Sequence, residues 1–139
     1  QFEFHIAAIT EMSDRLMGMQ KYENVYLYPV VKMDTARNLM RKCDIYLDIN
    51  QGDEILDAVR AAFENNMLIL GFNETMHEPR LIADENRYTA AEFDKMAIKI
   101  VQAVSQADEM QRLIDTQRQQ AGDEPVARFQ AGIEALIND

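Results

Sequence analysis

Four short apolar runs punctuate the chain, at residues 2–9, 25–28 (Val-Tyr-Leu-Tyr), 45–49 (Ile-Tyr-Leu-Asp-Ile) and 67–72 (Met-Leu-Ile-Leu-Gly-Phe). Between them apolar residues return every three or four positions. Strand-length runs alternating with helical periodicity predict parallel strands joined by crossover helices. The run at 67–72 is continuous and reads as a strand buried on both faces, whereas residues 2–9 carry Glu3 and His5 and read as lying nearer an edge.

The helical segments differ in how firmly they are marked. A short helix is predicted over 13–19 with Ser13 as its cap. Asp34 can cap a second, in which Leu39, Met40 and Cys43 line one face. Behind Asp53, the positions Ile55, Leu56, Val59, Ala62, Phe63 and Asn66 recur at helical spacing. The segment 89–105 is the clearest: Thr89 and Glu92 form a capping box, and Phe93, Met96, Ala97, Ile100, Val101 and Val104 make a stripe. Residues 107–120 are Gln-rich and charged, with only Met110, Leu113 and Ile114 to bury, which predicts a surface helix or a half-docked extension. Beyond Gly122, Asp123 and Pro125 open a last helical pattern with Val126, Phe129, Ile133, Leu136 and Ile137. The expectation is one α/β, Rossmann-like three-layer domain over 1–139, with 107–139 as its C-terminal helical extension.

Composition narrows the function classes. The 139 residues carry 14 Lys plus Arg against 24 Asp plus Glu, a net charge of -10 that repels phosphate backbones, so no nucleic-acid partner is expected. No apolar run approaches the roughly 20 residues of a membrane span, so no integral membrane segment is expected. A single cysteine cannot form an internal disulfide and two histidines are few for a metal centre, so the expected setting is a reducing cytoplasm, with no metal and no cofactor. The chain opens on Gln1 directly before a strand pattern, which reads as a fragment whose beginning lies elsewhere.

Ligands of an open parallel sheet bind outside the carboxyl ends of its strands. That rule nominates Thr10 and Glu11, then Pro29 and Val30, then Asn50, Gly52, Asp53 and Glu54, then Asn73 and Glu74. Each of these polar residues is also what an ordinary strand-to-helix loop contains, and Ser13 and Asp53 double as caps. Asp48 stands where a receiver domain keeps its phosphoacceptor aspartate, but the acidic pair and the terminal lysine of a receiver are absent. His77, between Glu74 and Glu78, is the better placed of the two histidines for chemistry, because carboxylates would hold its proton, although a solvated loop histidine is the simpler expectation. His5 reads as packed or half-exposed, and Cys43 as a small core residue. No phosphate-loop, dinucleotide or metal-binding motif occurs.

The Tyr-Pro turn after the second strand, the run Cys-Asp-Ile-Tyr-Leu-Asp-Ile-Asn at 43–50 and the stretch Glu54 to Phe72 resemble the carboxyl half of a two-domain (GT-B) glycosyltransferase, over about residues 2–105. From Phe2 to Thr89 the chain is similar to the glycosyltransferase-like, nucleotide-sugar-synthetase-like proteins of the accessory secretion locus of Gram-positive bacteria. The resemblance implies a role in O-glycosylation of serine-rich repeat adhesins. The first expectation is the nucleotide-sugar-binding-type domain of a UDP-sugar-dependent glycosyltransferase or glycosyltransferase-like protein; the alternative is a noncatalytic partner that binds the acceptor and stabilises a homologous catalytic subunit. In the large retaining families of the fold, a pair of glutamates flanks the helix before this strand, the second gripping the donor ribose. Aligned on Met67-Leu68-Ile69, the pair falls at Gly52 and Arg60, and Arg60 cannot accept hydroxyl hydrogen bonds. The expected outcome for the chain alone is poor UDP-sugar binding and no transfer.

Overall fold

The computed structural model describes residues 2–54 and 57–122. The helical pattern of 123–139, and the positions Ile55 and Leu56, lie outside the described residues. The chain divides into two compact units, residues 1–43 and 44–139.

In the first unit β1 (Phe4–Ala7) and β2 (Val25–Tyr28) pair in parallel, with Phe4 opposite Val25 and Ala7 opposite Tyr28. Helix α1 (Asp14–Met17) and a 3-10 turn (Gly18–Lys21) join them, and α2 (Met33–Lys42) follows. Ser13 caps α1 as its sequence predicts, its hydroxyl accepting from the Leu16 amide at 3.2 Å. Asp34 does not cap α2. The chain enters that helix one residue after the extended Lys32, so Asp34 already lies in the first turn, where its charge complements the helix dipole. Cys43 is the half-buried C-cap rather than a core residue. His5 is half-buried, stacked on Tyr26 at 4.9 Å, with Nδ1 3.0 Å from the Tyr28 hydroxyl and Nε2 3.1 Å from Glu3. Among the described residues β1 pairs only with β2, in keeping with an edge reading of residues 2–9.

The second unit holds the fully buried core. Strands β3 (Ile45–Asp48), β4 (Leu68–Phe72) and β5 (Arg87–Tyr88) form a parallel sheet in the order β3-β4-β5. Leu68, Ile69 and Leu70 of the central β4 are 0% exposed, which is what its unbroken apolar run requires. The two-residue β5 is too short to show a period and has no sequence signal. Helix α3 (Ala58–Glu64) buries Val59, Ala62 and Phe63. It starts later than the sequence predicts: Asp57, in the left-handed region at φ 52°, occupies the N-cap position and Asp53 stays in the preceding exposed loop.

The Glu92 carboxylate accepts from the Thr89 amide at 3.0 Å and the Thr89 hydroxyl at 3.2 Å, closing the predicted capping box before α4 (Phe93–Ser105). The stripe that packs is narrower than predicted. Met96 and Ala103 are buried with Ile100 against them, in a core shared with Leu68, Leu70, Tyr88 and Leu113, while Phe93, Val101 and Val104 face outward at 60%, 49% and 42% exposure. Helix α5 (Ala107–Ala121) docks more firmly than a surface helix, burying Leu113 and Gln117. The Gln117 side chain accepts from the Ile69 amide and donates to the Met67 carbonyl, both at 2.9 Å. It thus completes the part of the β4 ladder that the short β5 does not reach. No helix among the described residues is long and apolar enough to cross a membrane.

Candidate functional site

The first unit places Thr10, Glu11, Pro29 and Val30 in exposed loops after its two strands. Thr10 and Val30 are brought together by a hydrogen bond from the Val30 amide to the Thr10 carbonyl, 3.1 Å, and the neighbouring Val31 amide reaches the Ala8 carbonyl at 2.8 Å. Val30 sits at φ 49°, a conformation a β-branched residue takes only at a cost of about 1–2 kcal/mol, so the loop is held by these two bonds against local strain.

In the second unit the polar groups converge around His77. Asp48 ends β3, and its side chain is 1% exposed. One carboxylate oxygen accepts from the His77 amide at 2.7 Å, and the other lies 2.6 Å from His77 Nδ1. The Asp48 carbonyl also accepts from the Thr75 hydroxyl at 3.1 Å. These three bonds tie the end of β3 to the loop after β4. Gly71 makes the close approach possible, since a Cβ there would lie 2.7 Å from Met76 Cγ and 3.2 Å from the Asp48 carbonyl oxygen. On its far side, His77 Nε2 is 2.6 Å from the carbonyl oxygen of Gly52, whose φ of 119° favours glycine. Residue 52 is thereby committed to a loop, consistent with α3 starting later than predicted.

The surrounding charge is mostly negative. Carboxylate oxygens of Glu54, Asp57 and Glu78 lie within 4.8 Å of one another, and Arg60 of α3 donates to Glu78 at 3.4 Å. Glu54 has a buried oxygen without a hydrogen-bond partner, and burial, followed by the neighbouring Glu78, raises its carboxyl above the usual range. Burial and the nearby Asp48 and Glu54 push the Tyr46 phenol up to about 12. The bond to the Gly52 carbonyl, then the bond to Asp48, raise His77 above the ordinary histidine value, and burial only partly opposes them. The solvated loop histidine that the sequence suggested is instead a bridge. Nδ1 faces a carboxylate and Nε2 a carbonyl, so both ring nitrogens are engaged within the site.

Asn50 and Asp53 are exposed in the loop that His77 clamps, and Glu54 is half-buried beneath it. Asn73 and Glu74 belong to a different arrangement. The Asn73 amide donates to the Tyr88 carbonyl at 2.7 Å, and the Glu74 carboxylate accepts from the Ala90 amide at 3.0 Å, anchoring the turn that opens α4. The sequence marks Asp48 and His77 separately, one as an acid ending a strand and the other as a loop histidine, but does not pair them. The signal that could have joined them is the parallel pairing of β3 with β4, which sets the end of one strand beside the loop after the other.

The comparisons with known proteins agree on one group. The chain is 52% identical, over 137 residues, to the "UDP-N-acetylglucosamine--peptide N-acetylglucosaminyltransferase stabilizing protein GtfB" of Limosilactobacillus reuteri, with 99% of this chain and 31% of that protein covered. To the protein of the same name from Streptococcus gordonii it is 39% identical, covering 99% of this chain and 30% of that one. Among solved structures, a chain of the "GtfA/B complex bound to UDP and GlcNAc" superposes with a TM-score of 0.79 at 38% identity, covering 95% of this chain and 30% of that one. The chain therefore spans about a third of the length of the curated relatives it matches. The family described as "GftB/GlyA-F C-terminal domain" matches residues 1–117, and the chain belongs to that family.

Proposed function

We propose that this chain is part of the noncatalytic, stabilising partner of a glycosyltransferase that adds N-acetylglucosamine to a serine-rich protein. The observation that carries the reading is the 52% identity, along 99% of the chain, to a protein named for stabilising such a transferase. Two features of the site support it. Arg60, at the position the resemblance gives to the ribose-gripping glutamate, carries only donors and offers a nucleotide no acceptor oxygen, and it donates to Glu78. Within the second unit, the Gly52 carbonyl and the Glu74 carboxylate are engaged by His77 and Ala90. These loops are suited to presenting a fixed surface more than to gripping a diphosphate, against which the net charge of -10 also works. The partners of this reading are a homologous glycosyltransferase subunit and the serine-rich acceptor, with UDP-sugar bound weakly here if at all, in the cytoplasm. The test is a transfer assay with labelled UDP-N-acetylglucosamine and a serine-rich acceptor. The transferase subunit with this protein should label the acceptor more than the subunit alone, and this protein alone should give no label. Labelling by this protein alone would overturn the reading.

A further inference from the structure

We propose that His77 is a proton-operated clip that fixes residues 49–54, its charged ring holding the Gly52 carbonyl to the buried Asp48 and letting that loop go when the proton leaves. The inference stands on the geometry of the second unit and is independent of the partner role. Both ring nitrogens face acceptors at 2.6 Å, Nδ1 a carboxylate and Nε2 a peptide carbonyl. A neutral imidazole has one N–H and can satisfy only one of them. The pair must therefore hold one proton more than a neutral ring beside a carboxylate, wherever that proton rests between Nδ1 and the Asp48 oxygen.

When it is lost, the remaining N–H stays with the stronger acceptor, the carboxylate, which the His77 amide also anchors at 2.7 Å. Nε2 then presents a lone pair to the Gly52 oxygen across 2.6 Å, and the contact becomes repulsive. The loop that carries Asn50, Gly52 and Asp53 is the part free to move, because these residues are exposed whereas Asp48 is 2% exposed and fixed in the sheet.

The charges around the ring set the direction of the switch. Asp48 of β3 and Glu54 of the clamped loop both favour the proton. Behind Glu54 stand Asp57, at the start of α3, and Glu78, in the loop after β4, with Arg60 of α3 donating to Glu78. Burial of the ring opposes the charge but does not outweigh its two hydrogen bonds. The clip is closed while the ring holds its proton and opens as pH rises through the raised His77 value. Opening also removes a cation that eases the ionisation of Glu54.

Nitrogen NMR of the intact protein labelled with 15N-histidine tests this directly. The sequence has two histidines, so the H5Q variant leaves the His77 signals assigned. Both His77 nitrogens should carry protons at neutral pH and titrate above the ordinary histidine value of about 6.5. In parallel, amide exchange protection of residues 50–54 should fall by roughly tenfold across the same pH range, and H77Q, which cannot titrate, should abolish that pH dependence. A neutral His77 tautomer at neutral pH would overturn the proposal, and so would an unchanged pH dependence of loop protection in H77Q. If H77Q does not fold, the nitrogen signals of the wild-type ring decide alone.

Discussion

Asp48 shows how a residue's meaning depends on what the fold sets against it. In the sequence it is an acid ending an apolar run; in the structure it is buried and receives the His77 amide and the ring. Removing one member of a buried ion pair leaves the other uncompensated, so Asp48→Ala should destabilise the protein by about 3 kcal/mol in denaturant unfolding near neutral pH. The pH dependence has a definite sign. Because His77 is raised in the folded state, its contribution is fully present below the unfolded histidine value and is lost as pH rises through the folded one. The gap between wild type and Asp48→Ala should therefore narrow as pH rises above the unfolded histidine value of about 6.5; a constant gap would mean that the bridge carries no titrating charge. Neither partner announces the other in the sequence, because the contact spans 29 positions and is set by the pairing of β3 with β4.

At the scale of elements, legibility followed burial and period. The continuous run at β4 and the capping box before α4 are local signals, and both are found where the sequence puts them. The buried α4 stripe is narrower than its spacing predicts, because helical spacing tells which residues can share a face, not how much of that face a neighbour covers. The fold packs the line of Met96, Ile100 and Ala103 and leaves Val101 and Val104 outside. Helix α5 failed in the opposite way. Its Gln-rich sequence looks solvated, yet Gln117 lies 1% exposed and mimics a strand edge, a role that only the shortness of β5 creates. Gln117→Leu keeps the bulk while orphaning the Ile69 amide and the Met67 carbonyl, so thermal unfolding should show a loss of about 3 kcal/mol. A variant as stable as wild type would show that water or a shifted α5 replaces those bonds.

At the scale of the whole molecule, the parallel strand pairs and intervening helices agree with the α/β reading, and the family match covers residues 1–117. The candidate site was legible as a set of loops but not as an arrangement. The same strand-end positions serve as caps, loop anchors or ligand contacts, and only the three-dimensional partners of Gly52 and Glu74 distinguish these uses. In the role proposed above, this protein stabilises a glycosyltransferase subunit rather than transferring sugar itself. A partner that binds only the folded subunit raises its unfolding temperature in proportion to the logarithm of partner concentration. The most direct measurement is the thermal unfolding of that subunit, followed by its own spectroscopic label, with increasing amounts of this protein. The midpoint should climb with each addition; a midpoint that does not move at saturating protein would rule out the stabilising role.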